Sequence, residues 1–324
     1  MFERLPISME LETGFFGRSV CCGRKEFKRL WFISFGDSRF RYQLHRIRRQ
    51  ALKFGFISEH IRIFTENELD STFRCKMRDQ LVLGSRGFGY WCWKPQIVLQ
   101  TLSEMNDGDI LLYTDVGCYL NHKGRQRFMD YVDLADSQGI CGFQSRRENK
   151  DYAGTPLHLL IEKFWSKGDS FDYFNVRNDT FITETAQHGA GIFLVKKTSS
   201  SVDFFSRFKQ VFLDRFDLVM DTPSVSPNFP GFVRNSHDQS IFSILYKMAR
   251  YKSFTCAEYI APYTKYDSSN AGHVILGENF FRHPERRPIY AMRELARGWR
   301  ILIPPLAKPY LWNAIHSIQR LARL

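Results

Sequence analysis

The opening pattern constrains this chain most. Leu30-Trp-Phe-Ile-Ser-Phe35 is an apolar run stopped by Gly36-Asp37, as in a buried strand entering a turn. Ser38 can cap the next segment, where Phe40, Leu44, Ile47, Ala51 and Phe54 recur at helical spacing. Ile61-Arg-Ile-Phe-Thr65 reads as a second strand. A strand-helix-strand opening predicts a parallel sheet with helices on its faces.

The remaining segments extend that sheet. A Gly-rich turn, Gly84-Ser-Arg-Gly-Phe-Gly89, precedes Tyr90-Trp-Cys-Trp-Lys-Pro95, and Pro95 suits the first turn of a helix carried on by Ile97 to Leu102. Asn106-Asp-Gly-Asp109 breaks it. Ile110-Leu-Leu-Tyr-Thr114 is then a buried strand ending at Asp115-Val-Gly117. Gly139 to Phe143 and Ile192 to Val195 read as further strands. Thr198 can cap a helix to about Val219, and Ser236-His-Asp-Gln239 opens another over Ile241 to Met248. One α/β domain with irregular insertions is expected over 30–285, after an irregular leader, 1–29, and before a basic tail, 286–324.

Composition is ordinary for a globular chain, 44% hydrophobic and 25% charged, so global disorder is excluded. The net charge of +12 favours a polyanionic partner: nucleic acid, anionic lipid or a phosphorylated substrate. Its distribution separates these. Phe281 to Leu324 holds nine Lys/Arg against two Asp/Glu, more than half of the excess. A nucleic-acid-binding protein, the non-enzymatic alternative, should instead interleave basic and aromatic residues over a face. The seven cysteines form no C-x-x-C pair, which points to free thiols rather than zinc or disulfides. No signal peptide is expected, nor a transmembrane helix, since no stretch reaches ~18 uncharged apolar residues.

Ligands of open parallel sheets bind beyond the carboxyl ends of the strands. Asp115 sits at such an end, where a carboxylate either caps a turn or holds a divalent cation bridging a diphosphate. Asp238 and Gln239 fall in a first helical turn, which favours a carboxylate. The pair either orients sugar hydroxyls and stabilises positive charge, or simply follows a Ser236 cap. Around the Gly-rich turn, Tyr90, Trp91 and Trp93 can stack on a sugar or base, and Arg86 and Lys94 can meet phosphate, unless the tryptophans are core. The turn lacks the Gly-Lys-Ser/Thr ending of a P-loop. His273 could complete a metal site with the strand-end aspartate, although a lone His is more often packed or at the surface.

Taken in order, an aromatic-Trp-Lys-Pro helix start, Gly-Asp-Ile-Leu-Leu-Tyr-Thr-Asp-Val-Gly, Gln-His-Gly-Ala-Gly-Ile-Phe and His-Asp-Gln resemble bacterial GT-A glycosyltransferases of surface-polysaccharide (lipopolysaccharide or capsule) pathways. The similarity runs from about Leu30 to His283. It implies the α/β GT-A fold, a single Rossmann-like mixed sheet flanked by helices. It also implies a nucleotide-diphosphate sugar donor, UDP-sugar favoured, with a saccharide or lipid-linked acceptor. A divalent cation, Mn2+ or Mg2+, would sit on Asp115 with His273. By this resemblance Asp115 matches the first aspartate of Asp-x-Asp, and Gly117 replaces the second. Phe35 and Gly36 match the nucleotide end of the first strand, with Arg86, Tyr90, Trp93 and Lys94 on the donor. His188, Gly189, Ala190, Gly191 and His237 match the acceptor side, and Asp238 and Gln239 face the transferred sugar. The missing aspartate also leaves open a GT-A-like fold without activity.

The tail mixes Tyr290, Leu295, Trp299, Ile301, Leu306, Leu311 and Trp312 with its basic residues, and Pro304-Pro305 splits it. Basic, Trp-bearing amphipathic segments bind anionic membrane surfaces. The expected location is cytoplasmic, peripheral to the inner face of the cell membrane. A C-terminal helix packed on the domain is the alternative.

Overall fold

The computed structural model describes residues 29–145, 160–259, 274–275 and 286–291. The segments read as leader and tail fall almost wholly outside these, as do His273 and His283.

The strands are β1 (Leu30–Phe35), β2 (Ile61–Phe64), β3 (Ile110–Thr114), β4 (Cys118–Leu120), β5 (Ile140–Gln144), β6 (Ile192–Lys196), β7 (Ser253–Thr255), β8 (Val274–Ile275) and β9 (Ile289–Ala291). Seven form one sheet in the order β2-β1-β3-β6-β5-β7-β8, and β4 pairs with β9 apart from it. Within the large sheet β6 runs antiparallel to both β3 and β5, and the other pairs are parallel. This is the mixed α/β sheet that the resemblance implies, and β6 departs from the all-parallel pattern that the strand-helix-strand opening predicts.

Side chains alternate across the sheet. Trp31, Ile33, Phe35, Leu111, Tyr113, Phe193 and Val195 meet helices Trp93–Glu104, Ser199–Asp214 and Asp238–Met248 on one face. Leu30, Phe32, Leu112 and Leu194 meet helices Arg41–Phe54 and Arg125–Gln138 on the other. A strand covered on both faces needs an unbroken apolar run, which is why β1, β3 and β6 are legible in sequence.

Two caps differ from expectation. Asp37, not Ser38, caps the turn at Ser38–Phe40, accepting from the Arg39 amide at 3.0 Å. Ser236 does not cap helix Asp238–Met248; the residue before that helix is His237, which makes no side-chain cap bond. Thr198 does cap Ser199–Asp214, through a capping box with Ser201.

The first residues read as tail are part of the domain. Arg287, Ile289 and Tyr290 are buried, and β9 pairs with β4 in the register Tyr119↔Tyr290. Asn121 donates to the Arg287 carbonyl at 2.7 Å. Gly124 allows the close approach: a Cβ there would stand 2.3 Å from the Pro288 nitrogen. Burial of Tyr290 leaves it unable to serve an exposed membrane-facing segment.

Candidate functional site

The parallel strands aim their carboxyl ends at one edge of the sheet. Because β6 is antiparallel, its beginning reaches the same edge, where Thr114 pairs with Ile192 and the Asp115 amide donates to the Gly191 carbonyl at 2.8 Å. The Asp-Val-Gly and His-Gly-Ala-Gly segments therefore adjoin, although far apart in sequence.

Asp115 is a strand-end carboxylate whose side chain is 16% exposed. The Tyr113 hydroxyl donates to Oδ1 at 2.7 Å. The next residues are held by Arg46, whose guanidinium donates to the Val116 and Cys118 carbonyls and lies 3.7 Å from the Tyr119 ring centre. At Gly117 a Cβ would meet no atom within 4 Å, so space does not require this glycine. The corresponding carboxylate of β1, Asp37, is engaged by the Arg39 guanidinium at 2.8 and 2.6 Å, which holds it below the usual carboxylate range.

Lys94 joins the motifs. It lies in the first turn of helix Trp93–Glu104 beside Pro95 and is buried. Its ammonium donates to Asp238 Oδ2, stands 3.9 Å from Asp115 Oδ1, and lies 5.4 Å from the Tyr113 ring centre. Burial pushes the Asp238 carboxyl up, and the Lys94 charge and hydrogen bond oppose that rise. Trp-Lys-Pro, the strand-end aspartate and His-Asp-Gln thus meet at one buried cation.

A strained turn flanks this centre. Gly87, Phe88, Gly89, Tyr90 and Trp91 have φ of 58°, 50°, 84°, 50° and 62°, a continuous left-handed run. Each of its non-glycine residues costs roughly 1–2 kcal/mol. The turn is fixed by Trp93 Nε1 on the Gly87 carbonyl at 3.0 Å and by Ser85 Oγ, which accepts from the Gly89 amide at 2.9 Å. It places Arg86 and the Tyr90 hydroxyl on Asp221 at 3.0 and 3.1 Å. Asp221 also lies 3.7 Å from His237, whose ring packs near Tyr90 and Trp91. His237 itself has φ 59°, and burial lowers its pKa.

Gln239, next to Asp238 in the first turn of its helix, is half-buried, and its amide nitrogen donates to Gln187 Oε1 at 2.9 Å. Gln187 is anchored in turn on Glu162 at 2.8 Å.

Several expected ligand residues are placed elsewhere. Phe35 and Trp93 are 3% and 4% exposed and stack on each other with ring centres 3.8 Å apart, so neither offers a face to a nucleotide. Gly36 is buried, donating to the Phe64 carbonyl, and a Cβ on it would stand 2.9 Å from Phe40 Cβ. His188, expected on the acceptor side, lies in the interior. It is 4% exposed, meets Ser253 Oγ at 3.2 Å and packs on Tyr246, and burial drives its pKa well below the ordinary value. Gly189 and Ala190 are buried with it, and a Cβ on Gly189 would stand 2.7 Å from the Tyr259 hydroxyl. Asp115, Gly117, Lys94, Arg86, Tyr90, Gly191, His237, Asp238 and Gln239 remain at or beside the edge.

Sequence reasoning misses Asp221, Arg46, Glu162 and Lys247. Asp221 lies just before a segment rich in Pro, Ser and Asn, Pro223 to Pro230, and has no periodicity of its own. Lys247 carries a usable signal: a lone charge inside an apolar helix needs a buried partner.

No family model and no curated protein matches the chain. Among solved structures, mouse xyloside xylosyltransferase 1 in its apo form is 10% identical over 82% of this chain and 98% of that one, with a TM-score of 0.40. An active-site mutant of LgtC is 10% identical over 83% and 89%, with a TM-score of 0.43. The bifunctional glycosyltransferase WbbM in its apo form is 10% identical over 83% of this chain and 46% of that one, with a TM-score of 0.44.

Proposed function

We propose that this chain is a GT-A glycosyltransferase that moves a sugar from a nucleotide-diphosphate donor to a saccharide or lipid-linked saccharide in surface-glycan synthesis. One observation carries the reading: Lys94 draws the carboxylates of Asp115 and Asp238, from motifs far apart in sequence, to one point at the carboxyl edge of the sheet. Open α/β sheets bind their ligands at that edge.

Each group there has a task in sugar transfer. Arg86 is half-exposed and can turn from Asp221 to a donor phosphate, a charge-assisted contact. Tyr90 donates to the same Asp221 oxygen and can keep that carboxylate engaged when Arg86 turns. Asp238 and the outward side of Gln239 meet hydroxyls of the transferred sugar and stabilise positive charge at its anomeric carbon. Gly191, beside Asp115, leaves room for the acceptor.

The described residues do not fit the divalent cation that the resemblance implies. Gly117 supplies no carboxylate, Asp238 is taken by Lys94, and the same ammonium stands 3.9 Å from Asp115 Oδ1. Among the described residues no group of three or more His, Cys, Asp or Glu is placed to hold a metal. His273 lies outside them.

The proposed location is the inner face of the cell membrane, reached through the basic residues beyond Ala291. Among the described residues no helix is long and apolar enough to cross a membrane.

The test is a panel of nucleotide sugars, UDP-sugars first, incubated with full-length protein in manganese and in chelator. Release of nucleoside diphosphate, enhanced by a saccharide acceptor, supports the reading. Binding of none of the nucleoside diphosphates would sink it.

A further inference from the structure

Below the edge lies a second ionic centre. Glu162 and Lys247 are 0% and 1% exposed, with Nζ 2.8 Å from Oε2. Oε1 of Glu162 accepts from Ser166 Oγ at 2.7 Å and Gln187 Nε2 at 2.8 Å, and Oε2 also accepts from Ser243 Oγ. Lys247 gives further protons to the Ile182 and Thr185 carbonyls, both at 3.0 Å. A carboxylate paired with an ammonium only accepts, so its neighbours must turn donors toward it.

That requirement passes along the chain of amides. Gln187 must aim its nitrogen at Glu162, which leaves its oxygen on the far side, where it accepts from Gln239 Nε2. Gln239 must then aim its own nitrogen inward. Its amide oxygen is left turned away from the buried centre, with no hydrogen bond among the described residues. An amide normally can present either end; here the choice is made two residues back in the network.

We propose that Glu162, acting through Gln187, fixes the amide of Gln239 so that its oxygen, and not its nitrogen, faces the transferred sugar. Glu162 and Gln187 are positioning residues, and the proposal rests on the sugar-transfer reading above. An oxygen accepts from a hydroxyl and favours positive charge at the anomeric carbon, whereas an NH2 group opposes it. Lys247 keeps the relay in one sense by holding the Glu162 carboxylate.

The experiment is a double-mutant cycle read in transfer kinetics, joined to a direct view of the amide. Glu162→Gln can donate as well as accept, so it frees Gln187 and Gln239 to turn over. It should lower kcat by roughly tenfold or more, the scale of one misdirected transition-state hydrogen bond, with donor KM and nucleoside diphosphate affinity little changed. In a Gln239→Leu background it should have no further effect. Gln187→Leu, which leaves the Glu162–Lys247 pair intact, enters the same cycle in case Glu162→Gln does not fold. Equal losses in both backgrounds, or an unchanged kcat, overturn the proposal.

The orientation is read without activity from the side-chain NH2 signals of 15N-glutamine-labelled protein, with Gln239 assigned by their loss in Gln239→Leu. Slow exchange in the native chain, lost in Gln187→Leu, is expected. Fast exchange in the native chain overturns the proposal while leaving sugar transfer standing. Slow exchange with no transfer from any donor sinks the transfer reading and reduces Glu162 to a structural residue.

Discussion

The ammonium of Lys94 is bonded to the carboxylate of Asp238 across 144 positions of sequence, with the two residues only 2% and 5% exposed. A buried pair of this kind contributes little net stability, but removing one partner strands the other charge. It also fixes Asp238 relative to the end of β3, because the same ammonium reaches toward Asp115.

Asp115→Ala should abolish transfer and leave the protein folded, since this side chain is partly exposed and its backbone amide remains bonded to Gly191. Turnover and circular dichroism check it. Near-native turnover would remove Asp115 from the site.

Asp238→Asn should lower turnover while nucleoside diphosphate affinity stays nearly constant, because the role proposed for this residue is on the sugar and not on the nucleotide. In the native enzyme the acid limb of the rate profile should lie above the ordinary carboxylate value of 3.8, since burial raises this group. The linkage has the opposite sense for stability. A raised carboxyl favours the fold fully below 3.8 and loses that advantage as pH rises through its folded-state value. Acid should therefore silence the enzyme reversibly before Asp238 gives any reason to unfold. Parallel loss of rate and of near-ultraviolet dichroism would contradict this.

Lys247→Met should destabilise by about 3–5 kcal/mol, because Glu162 is left buried without its counter-charge. Adding Glu162→Gln to the same chain should restore most of that loss. Urea denaturation of both variants decides it, and additive losses would contradict the coupling.

A chain cut after Ala291 should stay folded and keep activity on a water-soluble acceptor, since β9 is retained. It should lose binding to anionic vesicles. Beyond Ala291 stand six Lys/Arg against one Asp/Glu, together with Trp299 and Trp312. Each basic residue near an anionic surface contributes ~1 kcal/mol, screened by salt, and the apolar residues add a part that salt spares. Full vesicle binding by the shortened chain would move the membrane surface elsewhere, and unfolding would make the tail part of the core.

The residues of the site are legible where the signal is local. An apolar run ending in Asp115, a Lys-Pro helix start and an acidic first turn at Asp238 each show within ten residues, and all reach the same edge. Long-range pairings are not legible. Nothing near Arg46 indicates that it holds the carbonyls of Val116 and Cys118. Phe35, Trp93 and His188 border the motifs and so read as ligand contacts. An aromatic ring beside a site and one beneath it have the same local sequence, and only burial separates them. The left-handed run from Gly87 to Trp91 is visible in sequence only as glycines, since Phe88, Tyr90 and Trp91 rarely adopt that backbone.

The pairing of β4 with β9 also sets an order in time. β4 follows the Asp115 segment directly, yet its partner strand is completed only at Ala291. During synthesis Asp115, Lys94 and Asp238 are all in place before that strand leaves the ribosome. The nascent chain thus carries its chemical groups early but closes the clasp beside them last. Until β9 has cleared the ribosome the chain is an unlatched intermediate, in which β4 lacks the strand it pairs with.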